Sequence, residues 1–169
     1  MKTLALLIAV AVGLVSCRPA ITEEEVWEDW VRCGAKLICA EAGGVESLDE
    51  QAAVLWCAYN RVNDDRWSDD LVEVVTEPGQ FASLSGTEPT NEMYELSADV
   101  FRRYWNERNG ADDVGRTIPS DFFFFSGDGY HNYFRKEYRS RDYWDWSYPT
   151  VYGQSQTESE EQYAETYGS

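Results

Sequence analysis

From residue 22 onward, polar openings alternate with apolar positions that recur every three or four residues. Thr22-Glu23-Glu24-Glu25 has the form of a capping box, and Trp27, Trp30, Gly34, Leu37, Ile38 and Glu41 follow it at helical period. Gly43-Gly44 closes that element, so the spacing predicts a helix over about residues 23–42. Gly34 in its middle costs about 1 kcal/mol relative to Ala unless a neighbour packs closely against it. Ser47-Leu48-Asp49-Glu50 repeats the capping-box pattern and opens a second helix, whose Ala52, Leu55, Trp56, Tyr59 and Val62 form one broad stripe before Asn63-Asp64-Asp65. Leu71 to Val75 allows one or two further helical turns, and Glu77-Pro78-Gly79 suits a type II turn. Met93, Leu96, Val100, Phe101, Tyr104 and Trp105 mark the next long helix, which Asn109-Gly110 stops. Acidic residues crowd its start and Arg102, Arg103 and Arg108 its end, as the helix dipole favours.

After Pro119 the period changes. Phe122 to Phe125 fits a covered strand, Ser126-Gly127-Asp128-Gly129 a turn, and Tyr130 to Tyr138 either a strand or a short helix. From Ser147 the chain has one Val and no Leu, Ile, Met or Phe, which predicts a disordered acidic tail over 147–169. The expected fold class is therefore α+β, mostly helical with a small β element, over residues 22–146.

The one long apolar run, Thr3 to Val15 behind Lys2, is too short to span a ~30 Å hydrocarbon core and reads as an export signal. Its ending, Leu14-Val15-Ser16-Cys17, resembles a bacterial lipobox. That implies a signal over 1–16, a lipidated Cys17, a short tether over 17–21, and an exported domain touching membrane only through its anchor. Ordinary cleavage near Ser16 or Ala20 would leave a secreted protein instead. Cys33, Cys39 and Cys57 remain. Two cysteines six apart on one helix are separated by ~9 Å along its axis and cannot bridge, leaving Cys57 with Cys33 or Cys39 as the pairing to consider.

Charge narrows the partners. With 14 Lys and Arg against 31 Asp and Glu, the net charge of −17 disfavours nucleic acid or an anionic lipid surface, and it gives no overall steering toward an anionic polymer. Aromatics at 15% supply ample surface for a core. His131 is the only histidine, which excludes a two-histidine metal site, and no G-x-S-x-G elbow exists. No metal or cofactor is expected, and the domain is expected to be a monomer.

Glu41 stands out because it continues an apolar stripe into the last turn of a helix. Acidic side chains almost never stay buried without a partner or a function. A carboxyl group drawn out of water at a helix C-terminus holds its proton more readily, and a Glu protonated near neutral pH is a general acid. The alternative is a slight rotation of the helix that leaves Glu41 in solvent or beside Arg61.

Leu37-Ile38-Cys39-Ala40-Glu41-Ala42-Gly43-Gly44, Glu50-Gln51-Ala52-Ala53-Val54, Tyr59-Asn60-Arg61-Val62 and Glu77-Pro78-Gly79-Gln80-Phe81-Ala82-Ser83 together resemble the SleB-like cell wall hydrolases, typified by spore-cortex-lytic enzymes. The resemblance covers about residues 30–134, ending on Gly129-Tyr130-His131-Asn132-Tyr133-Phe134. It implies a lysozyme-like lytic transglycosylase domain acting on peptidoglycan glycan strands between N-acetylmuramic acid and N-acetylglucosamine, with Glu41 as the catalytic acid. Glu46, Gln80, Phe81, Ser83 and His131 then become candidate substrate-binding residues, and Arg61 and Asn60 candidates for fixing loops. The chain departs from the family pattern at Gly43, where an Arg is usual, in one extra residue before Glu46, and in Ser83, one place late. A different class stays open: an inactive peptidoglycan-binding envelope lipoprotein that keeps the scaffold.

Overall fold

The computed structural model describes residues 22–146 and 150–153. The export segment, Cys17, and residues 147–149 and 154–169 lie outside the described residues. Four helices, α1 (Glu23–Ala42), α2 (Leu48–Val62), α3 (Leu71–Thr76) and α4 (Asn91–Arg108), precede a hairpin of β1 (Phe124–Gly127) and β2 (Asn132–Arg135). This is a mostly helical α+β domain, as the periodicities require. Among the described residues no helix is long and apolar enough to cross a membrane.

Helix α1 starts where the capping pattern places it: the Glu25 carboxylate accepts the Thr22 N–H at 2.9 Å and the Thr22 hydroxyl at 2.8 Å. Gly34 sits where α1 crosses its neighbours. A Cβ there would lie 2.3 Å from Ser97 Oγ on α4 and 3.2 Å from Leu55 Cδ2 on α2. The glycine's conformational cost is thus offset by close helix packing. Trp30 anchors the shared core, with ring centroids 6.0–6.1 Å from Tyr59, Phe101 and Tyr104, while Tyr59 stacks on Tyr104 at 4.2 Å.

Helix α2 differs from its predicted single stripe. It is buried on every side over residues 52–62, because α1, α3, α4 and the hairpin all pack on it. Ala52, Ala53 and Ala58 permit that close surround. The turn after α3 follows its sequence: Gly79 has φ +81° and the Gln80 N–H donates to Glu77 O at 3.2 Å.

Two expectations change. Cys33, Cys39 and Cys57 are free thiols, so the bridge considered for Cys57 is not formed. Cys33 borders Tyr59, whereas Cys57 borders Arg61 and Arg116. Positions 57 and 59 of one helix face about 160° apart, so the two sulfurs meet opposite sides of α2. Burial pushes the Cys33 thiol up to about 11 and the Cys57 thiol up to about 12, which keeps both protonated and unreactive.

The folded domain also continues past residue 146. The Asp49 carboxylate, buried near the start of α2, accepts the Val151 N–H at 2.8 Å, and the Tyr152 hydroxyl donates to Asp99 on α4 at 2.7 Å. One aromatic and one β-branched residue dock this segment within a stretch otherwise poor in apolar side chains.

Candidate functional site

The C-terminal turn of α1, the turn after α3 and strand β1 enclose a cleft of about 220 Å³. Glu41 enters from α1, half-buried, and its carboxylate accepts the N–H of Ala82. That bond fixes one carboxylate oxygen. The other has no protein partner among the described residues and faces the cleft space. Gln80 and Phe81 approach from the turn, and Phe125 and Ser126 from β1. Glu41 is the single carboxylate among the described residues that line the cleft.

Arg61, from the last turn of α2, forms the cleft's inner wall. It is 3% exposed. Burial lowers the guanidinium from the usual arginine value, against the pull of Cys57, Glu77 and Glu41. Its charge is accommodated by Phe123 O, which accepts Nε–H at 2.8 Å, and by Gln80 Oε1, which accepts from Nη1 at 3.1 Å. The Phe81 ring lies 4.5 Å from the guanidinium carbon. Because arginine only donates, this bond sets the Gln80 amide with its oxygen inward and leaves its NH₂ as the free end. Asn60 serves the loops: its amide donates to Pro119 O at 3.0 Å and Phe122 O at 2.8 Å.

The predicted residues divide. Glu41, Gln80 and Phe81 converge, joined by Arg61. Glu46 is exposed on the loop between α1 and α2, and Ser83 is exposed with its hydroxyl accepting the Ser85 N–H at 3.3 Å; neither lines the cleft. Both fall where the chain departs from the family pattern, Glu46 after one extra residue and Ser83 one place late. His131 also lies off the cleft lining, with Nδ1 3.0 Å from Glu50 Oε1. Glu50 is fully buried at the start of α2, and its Oε2 accepts the Asn132 N–H at 2.8 Å. Asn132 Nδ2 in turn donates to Glu41 O at 3.2 Å.

Sequence reading took Glu50 for a capping residue and missed this role, because nothing local shows that the hairpin folds over it. Among the described residues no three His, Cys, Asp or Glu side chains converge as a metal site requires.

Four helices and a two-stranded hairpin, with one carboxylate in the groove among the described residues, are consistent with an α+β, lysozyme-like hydrolase domain. The family model of cell wall hydrolases matches residues 45–156, well over half the chain, and the protein belongs to that family. Its substrate class is accordingly peptidoglycan. Searches of curated proteins and of solved structures return no match. The matched stretch begins just after Glu41, so the role of that residue rests on its place in the cleft.

Proposed function

We propose that the cleft cleaves the glycan strand between N-acetylmuramic acid and N-acetylglucosamine, with Glu41 as the only acid/base, in the manner of the SleB-like enzymes that its motifs resemble. The supporting observation is the solitary carboxylate. Hydrolases usually place a second one at ~5 Å or ~6.5–9.5 Å to act on the anomeric carbon or on water. A lytic transglycosylase needs none, because the sugar supplies its own nucleophile.

Glu41 gives its proton to the glycosidic oxygen as the bond to the anomeric carbon breaks. The muramic 6-hydroxyl oxygen then bonds that carbon, and its proton passes to Glu41, which closes the cycle with a 1,6-anhydro end. The Gln80 amide donates to a sugar oxygen, and Phe81 offers an apolar wall. Export under the 1–16 signal and lipidation of Cys17 would hold this monomeric domain at the envelope.

Mass spectrometry of purified strands after incubation tests the reading. Anhydro ends are expected, with Glu41→Gln slower by about 10²–10⁴-fold. Reducing ends would replace transglycosylation by hydrolysis, and intact strands would leave a binding protein.

A further inference from the structure

The outer face of the hairpin carries a surface that the cleft chemistry does not use. Directly opposed residues of an antiparallel pair share a face, so the register sets Phe124, Arg135, Ser126 and Tyr133 on one side of the hairpin. Asn132 and Phe134, on the other side, are buried. Ser126 lines the cleft, and Tyr133 beside it is 38% exposed. The chain then folds back so that Tyr143 lies 5.7 Å from the Tyr133 ring and 5.9 Å from the Arg135 guanidinium. Tyr138 leans on Phe124 at 5.8 Å, with Arg139 over its ring at 5.0 Å.

Among the described residues, the large exposed hydrophobics are Leu48 and four tyrosines, Tyr130, Tyr133, Tyr138 and Tyr143, all on this hairpin and the loop after it. Exposed apolar surface concentrated in one place marks an interaction site. Its charge is close to balanced: Arg135, Lys136, Arg139 and Arg141 stand against Glu137, Asp142, Asp121, which pairs with Lys136 at 2.6 Å, and Asp128, which accepts the Tyr133 hydroxyl, in a chain of net charge −17.

We propose that this face is an extended saccharide subsite, over which the glycan strand runs after leaving the cleft at Ser126. The inference rests on the peptidoglycan reading of the cleft. Tyrosine rings present flat apolar faces to the C–H faces of pyranose rings, and arginine forks pair with the lactyl carboxylates of muramic residues that carry no stem peptide. Continuity with the cleft through the Ser126–Tyr133 pair selects the strand over other occupants. The balanced charge of this face spares the strand the repulsion that a net charge of −17 would otherwise bring.

The test is titration of the full chain carrying Glu41→Gln with peptide-free glycan strands. Replacing Tyr133 and Tyr143 together by Ala weakens binding by about tenfold. Tyr138→Ala with Arg139→Gln, on the loop rather than the strand, lowers affinity as well and flattens its salt dependence. Unchanged strand affinity in both pairs overturns the proposal, as does binding to phosphatidylglycerol vesicles in place of strands. If the unmutated chain leaves strands intact while the tyrosines still govern binding, the catalytic reading falls and the subsite stands. Cleavage alongside tyrosine-independent binding sinks the subsite alone.

Discussion

Glu50 and His131, 81 residues apart in the chain, meet at 3.0 Å where the N-terminus of α2 passes beneath the hairpin. The same carboxylate takes the Asn132 N–H, and Asn132 reaches the carbonyl of Glu41. A buried acid, a histidine and an asparagine thereby tie the hairpin to the helix end that presents the proposed catalytic group.

Cutting that tie has a measurable cost. Glu50→Ala leaves the His131 ring and the buried Asn132 amide without their acceptor, so unfolding free energy falls by about 2–4 kcal/mol. Urea melts read it directly. A change under about 0.5 kcal/mol would mean the hairpin is held by its apolar face alone.

Gly34 and Ser97 form a coupled pair. Gly34→Ala gains about 1 kcal/mol of helix propensity but drives its methyl into the Ser97 hydroxyl, itself bonded to Val31 O at 2.9 Å, for a net loss of about 1–3 kcal/mol. Adding Ser97→Ala removes the nearest atom and recovers most of that loss. Strict additivity in a double-mutant cycle would refute the coupling.

Arg61→Lys keeps the charge and loses the fork. The Phe123 carbonyl and the Gln80 amide cannot both be served from one ammonium at the same reach, so stability drops by about 1–3 kcal/mol. With Gln80 released, KM for glycan strands is expected to rise more than kcat falls. Steady-state rates on strands of fixed length decide the matter, and an unaltered KM counts against the role given to Gln80.

Asp128 at the hairpin turn accepts the N–H groups of Tyr130 and His131 and the hydroxyl of Tyr133, which bring its carboxyl from 3.8 to about 2. A folded value below the unfolded one means the stabilisation is complete above about pH 4 and disappears as pH falls through about 2. Amide exchange at Tyr130 and His131 should accelerate across that window. Asp128→Asn should remove the dependence at those amides, and its persistence would assign the effect to other acids.

Much of the helical framework was legible without coordinates. Thr22 and Glu25 cap α1, Ser47 opens α2, and Gly79 turns the chain after α3, because each acts through neighbours within three or four positions. Glu41 was legible too, since an acid on an apolar stripe is a conflict visible in one helix. The ambiguous stretch from Tyr130 resolved into a strand only through its pairing with β1. Nothing in the local pattern marks Tyr133, Tyr138 or Tyr143 as exposed, and only the fold leaves them at the surface.

What the sequence determined by itself is local: where helices begin and end, which stripe they bury, and which carboxylate lies on the wrong side of that stripe. The tertiary structure decided which distant groups meet. It set Arg61 against Gln80, brought His131 over Glu50, turned Glu46 and Ser83 outward and docked Tyr152 on the domain. Caps and periods are short-range interactions encoded in spacing, whereas contacts between distant segments depend on how whole faces pack, which no window of neighbouring residues contains.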